Sequence, residues 1–169
     1  MHSCGSERSS RPSSNSATYQ FGPVQLTGAE IKSAFFALQR ISVTDNIYRP
    51  GYGGENHGAE LMIGVTTAAG WGVHGEGGYN FIMLHEMVHN SVPGRALSQQ
   101  MWDRHVQNGG TVASYGANSA YFEQQEAMTN TLTKQIGDQI GVNVNSTTPN
   151  SPGYPRYGYY SGPELTPQP

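Results

Sequence analysis

The stretch that decides the fold runs from Asn80 to Asn90 and reads NFIMLHEMVHN. It contains the pattern His-Glu-x-x-His. Residues four apart lie on the same face of an α-helix, so His85 and His89 can direct two imidazoles at one ion. Glu86 is rotated by about 100° from His85, which places its carboxylate beside such an ion, where it can hold a water molecule. The pattern therefore predicts a metal-binding helix.

The apolar residues of the same stretch predict that this helix is packed in a core. Phe81, Leu84 and Val88 share the face that carries the two histidines. A surface helix buries such a stripe and leaves its opposite face in water. We therefore expect the histidines to lie in a buried stripe rather than in solvent.

A second predicted helix, from Ser119 to Ile140, offers a third ligand. A catalytic zinc ion takes three protein ligands and leaves its fourth position to water. At about 100° per residue, the apolar residues of this helix fill an arc about 120° wide. Glu126 borders this arc, whereas Glu123 is nearly opposite its centre. We expect Glu126 to be the ligand and Asn130, one turn later, to orient a ligand histidine from the second shell. The apolar arc consists of Tyr121, Phe122, Met128, Leu132, Ile136 and Ile140.

His85-Glu86-x-x-His89, followed by a helical Glu126 with a polar residue four positions on, resembles the gluzincin metallopeptidases. In that family a glutamate on a second helix completes a zinc site. The resemblance implies a small zincin-like α+β domain, in which a short mixed sheet packs on the two ligand-bearing helices. It also implies Zn2+ as cofactor, a protein or peptide as substrate, and hydrolysis of peptide bonds with Glu86 as general base. Thermolysin-type enzymes carry Asp at the position of Asn130, so this chain lacks a charge there.

The segment Ser114-Tyr115-Gly116 is similar to the Ser-Tyr-Gly that precedes the zinc glutamate in toxin peptidases like anthrax lethal factor. In those enzymes the Tyr hydroxyl supports the reacting carbonyl oxygen, which makes Tyr115 a second catalytic candidate. Their zinc ligand lies nearer to the Tyr in sequence, so Glu123 stays an alternative to Glu126.

Composition limits the classes of partner. The chain has 169 residues, enough for one domain, and a formal net charge of −3, so no basic surface for nucleic acid is expected. Cys4 is the single cysteine, which excludes an internal disulfide framework. No apolar run approaches the length of about 18 residues that a membrane span needs.

We expect three segments: a disordered leader at residues 1–20, the zincin-like domain at 21–143 and a Pro/Gly/Tyr-rich tail at 144–169. The leader lacks the apolar stretch of a secretory signal peptide. Together with the resemblance, these ends indicate an effector or toxin domain that a carrier polypeptide delivers out of the producing cell. A cognate inhibitor or immunity protein is then a further expected partner. The alternative is a cytoplasmic location.

The other elements are predicted from local patterns. Thr27 begins a capping box and a helix that extends to about Arg40. Strands are predicted at 43–48 and 59–67, and turn-rich or mobile loops at 49–58 and 70–78. A further helix runs from Arg95 to Gln107 after a stop at Pro93-Gly94, with one apolar side that consists of Leu97, Met101, Trp102 and Val106.

Three histidines outside the motif leave alternatives open. His57 or His74 can supply a fourth protein ligand, in which case the site is a closed, structural zinc site. His105 is expected to be a plain surface residue, with a role in proton transfer or oxyanion stabilisation as the alternative. Besides a peptidase and a structural zinc module, a third class of protein is possible. It is a non-enzymatic interaction protein that holds no metal and whose tail binds partners.

Overall fold

The computed structural model describes residues 16–21, 24–44, 54–64, 75–115 and 119–144. Within these ranges the chain forms two small sheets and four α-helices, and the predicted α+β class is confirmed. In chain order the elements are β1 (Thr18–Phe21), β2 (Val24–Thr27), α1 (Gly28–Phe36), β3 (Arg40–Val43), β4 (Gly54–Asn56), β5 (Glu60–Ile63), α2 (Gly75–Asn90), α3 (Val92–Gln107), a 3-10 turn (Val112–Ser114) and α4 (Ala120–Ile140).

The two sheets differ in topology. Strands β1 and β2 form an antiparallel hairpin in which Thr18 is opposite Thr27. The other sheet has the strand order β3-β5-β4, with β5 parallel to β3 and antiparallel to β4. It is therefore the short mixed sheet that was predicted, and β4 is an edge strand. The residues of β4 had been interpreted as part of a turn-rich loop, which is wrong for 54–56.

Helix α1 begins as predicted and ends early. The Glu30 backbone N–H donates to Thr27 Oγ1 (3.2 Å) and the Thr27 N–H donates to Glu30 Oε2 (2.8 Å), so the capping box is confirmed. The helix stops at Phe36 rather than near Arg40. The next residues form β3 because they pair with β5, and this pairing between distant segments overrides the helical pattern.

The predicted strands are displaced from the observed ones. The first was expected from Val43, but Val43 is the last residue of β3, and residues 45–48 lie outside the described ranges. The second was expected from Ala59 to Thr67 and is observed as β5, Glu60–Ile63, with residues 65–67 likewise outside.

The segments predicted before and after α2 differ in extent from the observed ones. Residues 75–78 belong to α2 rather than to a loop, and residues 70–74 lie outside the described ranges. Helix α2 ends at Asn90, as predicted. Helix α3 begins at Val92 rather than at Arg95, because Pro93 lies in its first turn, where a missing N–H costs nothing, and Ser91 caps it by accepting from the Gly94 N–H.

Helix α2 lies between two hydrophobic clusters. Phe81 and Val88 are fully buried, and Val88 packs in the larger cluster with residues of the hairpin, α3 and α4. On its other side, Ile82 and Met87 pack with β5 in the smaller cluster. The helix is thus buried on two sides rather than along the one predicted stripe, and its histidines are held in a rigid, close-packed layer.

Packing extends slightly beyond the predicted domain limits. Ala17 and Tyr19, which fall in the predicted leader, are 6% and 3% exposed and belong to the larger cluster. Val144, the first residue of the predicted tail, is also buried. Residues 1–15 and 145–169, which make up most of the leader and tail, lie outside the described ranges. None of the helices in the described part is long and apolar enough to cross a membrane.

Candidate metal centre

Three side chains from two helices meet at one point. His85 and His89 lie one turn apart on α2, and Glu126 lies on α4, which packs against α2. Their ligand atoms are all within 4.8 Å of one another. This group could hold a metal ion, and it joins the three residues that the sequence selected as ligands.

The distances within the group resemble those between ligands of a single metal ion. The two Nε2 atoms are 3.0 Å apart, and the Glu126 oxygens lie 3.2 Å from His85 Nε2 and 3.3 Å from His89 Nε2. Zinc binds nitrogen and oxygen at about 2.0–2.1 Å, so two ligands at the tetrahedral angle are about 3.3 Å apart. Oε2 of Glu126 is the oxygen near His85 and Oε1 is the oxygen near His89, so the three side chains lie about as close together as the ligands of such an ion.

The helical phase of α4 decides between the two glutamates. Ser119 starts the helix by accepting the Phe122 N–H (3.4 Å), and Gly141 ends it with a φ of 73°. Glu126 faces α2, whereas Glu123 is exposed and is not part of the group. The side of α4 that faces the protein is the predicted apolar one, although Ile140 at its end is 37% exposed.

The charges of the group are strongly coupled. Burial alone would raise the pKa of Glu126, but His89 and hydrogen bonds from both histidines lower it well below its usual value. Burial works against a charged His89 ring, yet Glu126 and then Glu86 raise the pKa of His89. Without an ion, Glu126 and His89 thus favour each other's charged forms, and a divalent cation can take the place of the proton.

Glu86 lies beside the three ligand candidates and outside their group. Burial raises the pKa of its carboxyl against the effect of the two histidines, and the carboxylates of Glu126 and Glu55 act in the same direction as burial. A buried carboxyl with a raised pKa is suited to accept and return a proton near neutral pH. This environment agrees with the role that the motif suggested for Glu86.

A cleft of about 220 Å³ opens onto the group. One wall is β4 and the residue after it, and the other comes from α2 and α4. His89 and Glu126 keep 17% and 14% of their side chains exposed, so the group is accessible from the cleft. The lining residues are Gly54, Glu55, Asn56, His57, Glu86, His89, Phe122, Gln125 and Glu126.

Strand β4 lies directly against the motif helix. The Asn56 side chain donates to the Glu86 carbonyl (3.2 Å). A Cβ added to Gly54 would be 2.7 Å from Ile82 Cγ2, closer than real contacts allow, and 3.1 Å from Glu86 Oε1, which is tighter than most. Gly54 thus lets the strand approach this carboxylate without displacing the Ile82 side chain.

The two remaining predicted site residues lie near the group. Asn130 is 2% exposed on α4, one turn after Glu126, and its contact with a ligand histidine stays a prediction. The Tyr115 hydroxyl donates to Oε1 of Gln125 (3.0 Å), the residue that precedes Glu126 in the sequence. Burial, and then the Glu126 charge, raise the pKa of Tyr115 to about 12, so this hydroxyl keeps its proton.

Of the two histidines proposed as a fourth ligand, His57 is not in the group formed by the described residues. His57 lines the cleft, but its Nε2 lies 3.1 Å from Glu55 Oε2, and the metal-capable group found in the described ranges contains three side chains. His74 lies outside those ranges. The described part of the chain thus leaves a coordination position for a water molecule.

His105 differs from its prediction. It is not a surface residue, since only 7% of it is exposed, and it continues the buried side of α3 after Leu97 and Met101. Val106, which was assigned to that side, is 45% exposed. The four-residue spacing of Leu97, Met101 and His105 was the signal that could have identified it.

Comparisons of the chain with protein-family models, with curated proteins and with solved structures gave no result. Nothing matches. The case for a metal centre therefore depends on the geometry, burial and charges of the residues described above.

Proposed function

We propose that this chain is a zinc-dependent endopeptidase with a gluzincin-type site and a zincin-like architecture. The observation that supports it best is the meeting of His85, His89 and Glu126 within 4.8 Å of one another, with Glu86 buried beside them in the same cleft. Two imidazoles and one carboxylate are a ligand set that suits zinc, and three protein ligands are typical of catalytic rather than structural sites.

The chemistry divides between the ion and the protein. When bound, zinc polarises the peptide carbonyl and lowers the pKa of a water molecule towards neutrality. His85, His89 and Glu126 hold the ion. Glu86 accepts the proton of the attacking water on its carboxylate and passes it to the amide nitrogen that leaves. Its raised pKa, which follows from burial, makes Glu86 a stronger base for the first of these two transfers.

Tyr115 is the second group that acts on the substrate. Its hydroxyl, which donates to Gln125 Oε1 in the free protein, donates instead to the carbonyl oxygen as negative charge develops there. The raised pKa of Tyr115 supports this role, because a phenol that is still protonated can donate.

The substrate class is a protein or an extended peptide. The cleft is open and is bounded by an edge strand, so a chain can pass through it rather than only enter it. The resemblance stated above further supports an effector or toxin domain, delivered by a carrier polypeptide and restrained by a cognate inhibitor. The net charge of −3 does not favour nucleic acid as a partner.

A cleavage assay with a quenched-fluorescence peptide library tests the proposal. The chain loaded with one equivalent of zinc is expected to cleave peptides, and a chelator is expected to stop cleavage reversibly. Glu86→Gln should lose about 10²–10⁴-fold in kcat while it still binds one zinc, since a general base contributes about this much. Glu123→Gln, a change of the same type on an exposed position, is the control and should cleave normally.

Two other results would lead to different functions. Zinc bound at one equivalent without cleavage of any peptide would indicate a structural zinc module. Failure to bind zinc at all would indicate an interaction protein and would exclude the peptidase.

A further inference from the structure

His105 connects two segments on either side of residues 116–118. On one side its Nε2 lies 3.1 Å from the Thr111 carbonyl and 3.1 Å from Ser114 Oγ. On the other side its Nδ1 lies 3.2 Å from Ser119 Oγ. Both ring nitrogens are thus engaged, and a single buried side chain of α3 joins the turn before these residues to the start of α4.

The groups around the ring favour a proton on Nε2. A carbonyl oxygen can only accept, so a hydrogen bond from His105 to Thr111 requires the hydrogen on Nε2. Ser119 Oγ already accepts the Phe122 N–H, and its own hydrogen can be donated to a bare Nδ1. With the proton on Nε2, Ser119 donates to the ring and the ring donates to Thr111, so a chain of hydrogen bonds runs from α4 to the turn.

The ring is also fixed by its packing. It lies 5.0 Å from the Tyr115 ring and 5.9 Å from the Trp102 ring. A Cβ on Gly110 would be 2.2 Å from His105 Nε2, so the chain passes directly over the imidazole. His105 therefore has one position available to it, and the groups hydrogen-bonded to it share that constraint.

Both segments that His105 joins lead to the metal centre. Ser119 caps α4, whose second turn carries Glu126. The turn from Thr111 ends at Tyr115, whose hydroxyl reaches Gln125. We infer that His105 is a positioning residue that sets Glu126 and Tyr115 relative to each other through two separate hydrogen bonds. The zinc part of this inference needs only the metal site, whereas the part on Tyr115 rests on the proposed peptidase function.

Two substitutions separate the two bonds. His105→Asn places an acceptor near the position of Nδ1 and keeps the bond from Ser119, but it cannot reach Thr111. His105→Gln keeps a donor near the position of Nε2 and loses the bond from Ser119. We expect Asn to leave zinc affinity unchanged and to lower kcat about tenfold with KM unchanged. We expect Gln to weaken zinc binding about tenfold, at the lower end of the effect of residues that orient ligands.

His105→Phe keeps an aromatic ring and removes both bonds, so it should lower both zinc affinity and kcat. Val106→Ala, the next residue on α3 and an exposed one, is the matched control for all three variants. If the Phe variant folds and retains zinc affinity and kcat within twofold of the unchanged chain, the inference is wrong.

A nitrogen NMR spectrum of the metal-free, unchanged chain gives a test that requires no variant to fold. The His105 ring, assigned through its couplings to its own backbone, should carry a proton on Nε2 and none on Nδ1. A proton on Nδ1 would overturn the inference. If the unchanged chain binds zinc and cleaves no peptide, the proposed function fails, whereas the zinc affinities and the NMR result still decide the role of His105.

Discussion

The clearest test of the metal centre compares the two glutamates of α4. Glu126→Ala removes one of three protein ligands, whereas Glu123→Ala makes the same change one turn earlier on the exposed side of the same helix. Structural zinc sites with four ligands bind with about 10–16 kcal/mol, which is about 3 kcal/mol per ligand. We therefore expect Glu126→Ala to weaken zinc binding about 100-fold and Glu123→Ala to change it less than about twofold.

Zinc-dependent stabilisation measures this difference. At a free zinc concentration of about 100 times the Kd of the unchanged chain, binding adds about 2.7 kcal/mol to the free energy of unfolding. A 100-fold weaker site would add only about 0.4 kcal/mol at the same concentration. Urea titrations with and without buffered zinc give both values, and a chelator competition gives the affinities directly.

The result that would refute this reasoning is specific. If Glu123→Ala abolishes the zinc-dependent stabilisation and Glu126→Ala retains it, the third ligand is Glu123 and the helical phase of α4 in solution differs from the one described. If neither variant changes it, the carboxylate on α4 is not a ligand at all.

Two further predictions concern the metal-free protein and the cleft. In chelator, the stability of the chain should be highest between about pH 4.5 and 6.5. The lowered pKa of Glu126 gives a contribution that is present above 4.5 and is lost on acidification, and the raised pKa of His89 gives one that is present below 6.5 and is lost on alkalinisation. The raised pKa of Glu86 adds a loss that begins as the pH rises above 4.5, so the maximum lies nearer the acidic end of this range. Urea midpoints measured against pH check this, Glu126→Ala should flatten the profile, and a midpoint that rises above pH 6.5 would contradict it. Gly54→Ala should lower the free energy of unfolding by about 1–3 kcal/mol through overpacking against Ile82 and should reduce kcat by displacing Glu86. An alanine variant with unchanged stability and activity would show that β4 does not need to approach α2 so closely.

The parts of the structure that the sequence predicts correctly are those in which neighbours in sequence decide the outcome. The capping box of Thr27 and Glu30 closes within three residues, and the spacing of His85 and His89 is a property of one helical turn. The choice of Glu126 over Glu123 also depends on local phase, since the apolar arc of α4 fixes which side faces the protein.

The predictions that are wrong concern elements whose formation depends on contacts between distant segments. Ile41 fits the helical pattern of α1, yet it lies in β3 because Arg40–Val43 pairs with Glu60–Ile63. Strand β4 has a Gly-rich sequence that favours a turn, and it becomes a strand only because β5 and α2 are next to it. Local propensities differ by less than about 1 kcal/mol per residue, so pairing and burial of this kind reverse them easily.

The wrong prediction for His105 shows why a sequence can identify the ligands of a site and still miss the residues that position them. Leu97, Met101 and His105 repeat every four residues, and Val106 is rotated by about 100° from that line, so either residue could continue the buried side of α3. Hydropathy favours Val106. The structure selects His105 instead because Thr111 and Ser119, which come later in the chain, supply an acceptor and a donor for its ring. A buried polar side chain is stable only where such partners exist, and their arrival from other segments is not visible in the helix itself. The burial of His105 depends on the correct placement of the segments that contain Thr111 and Ser119. The hydrogen bonds that make this burial stable also hold those two segments in place.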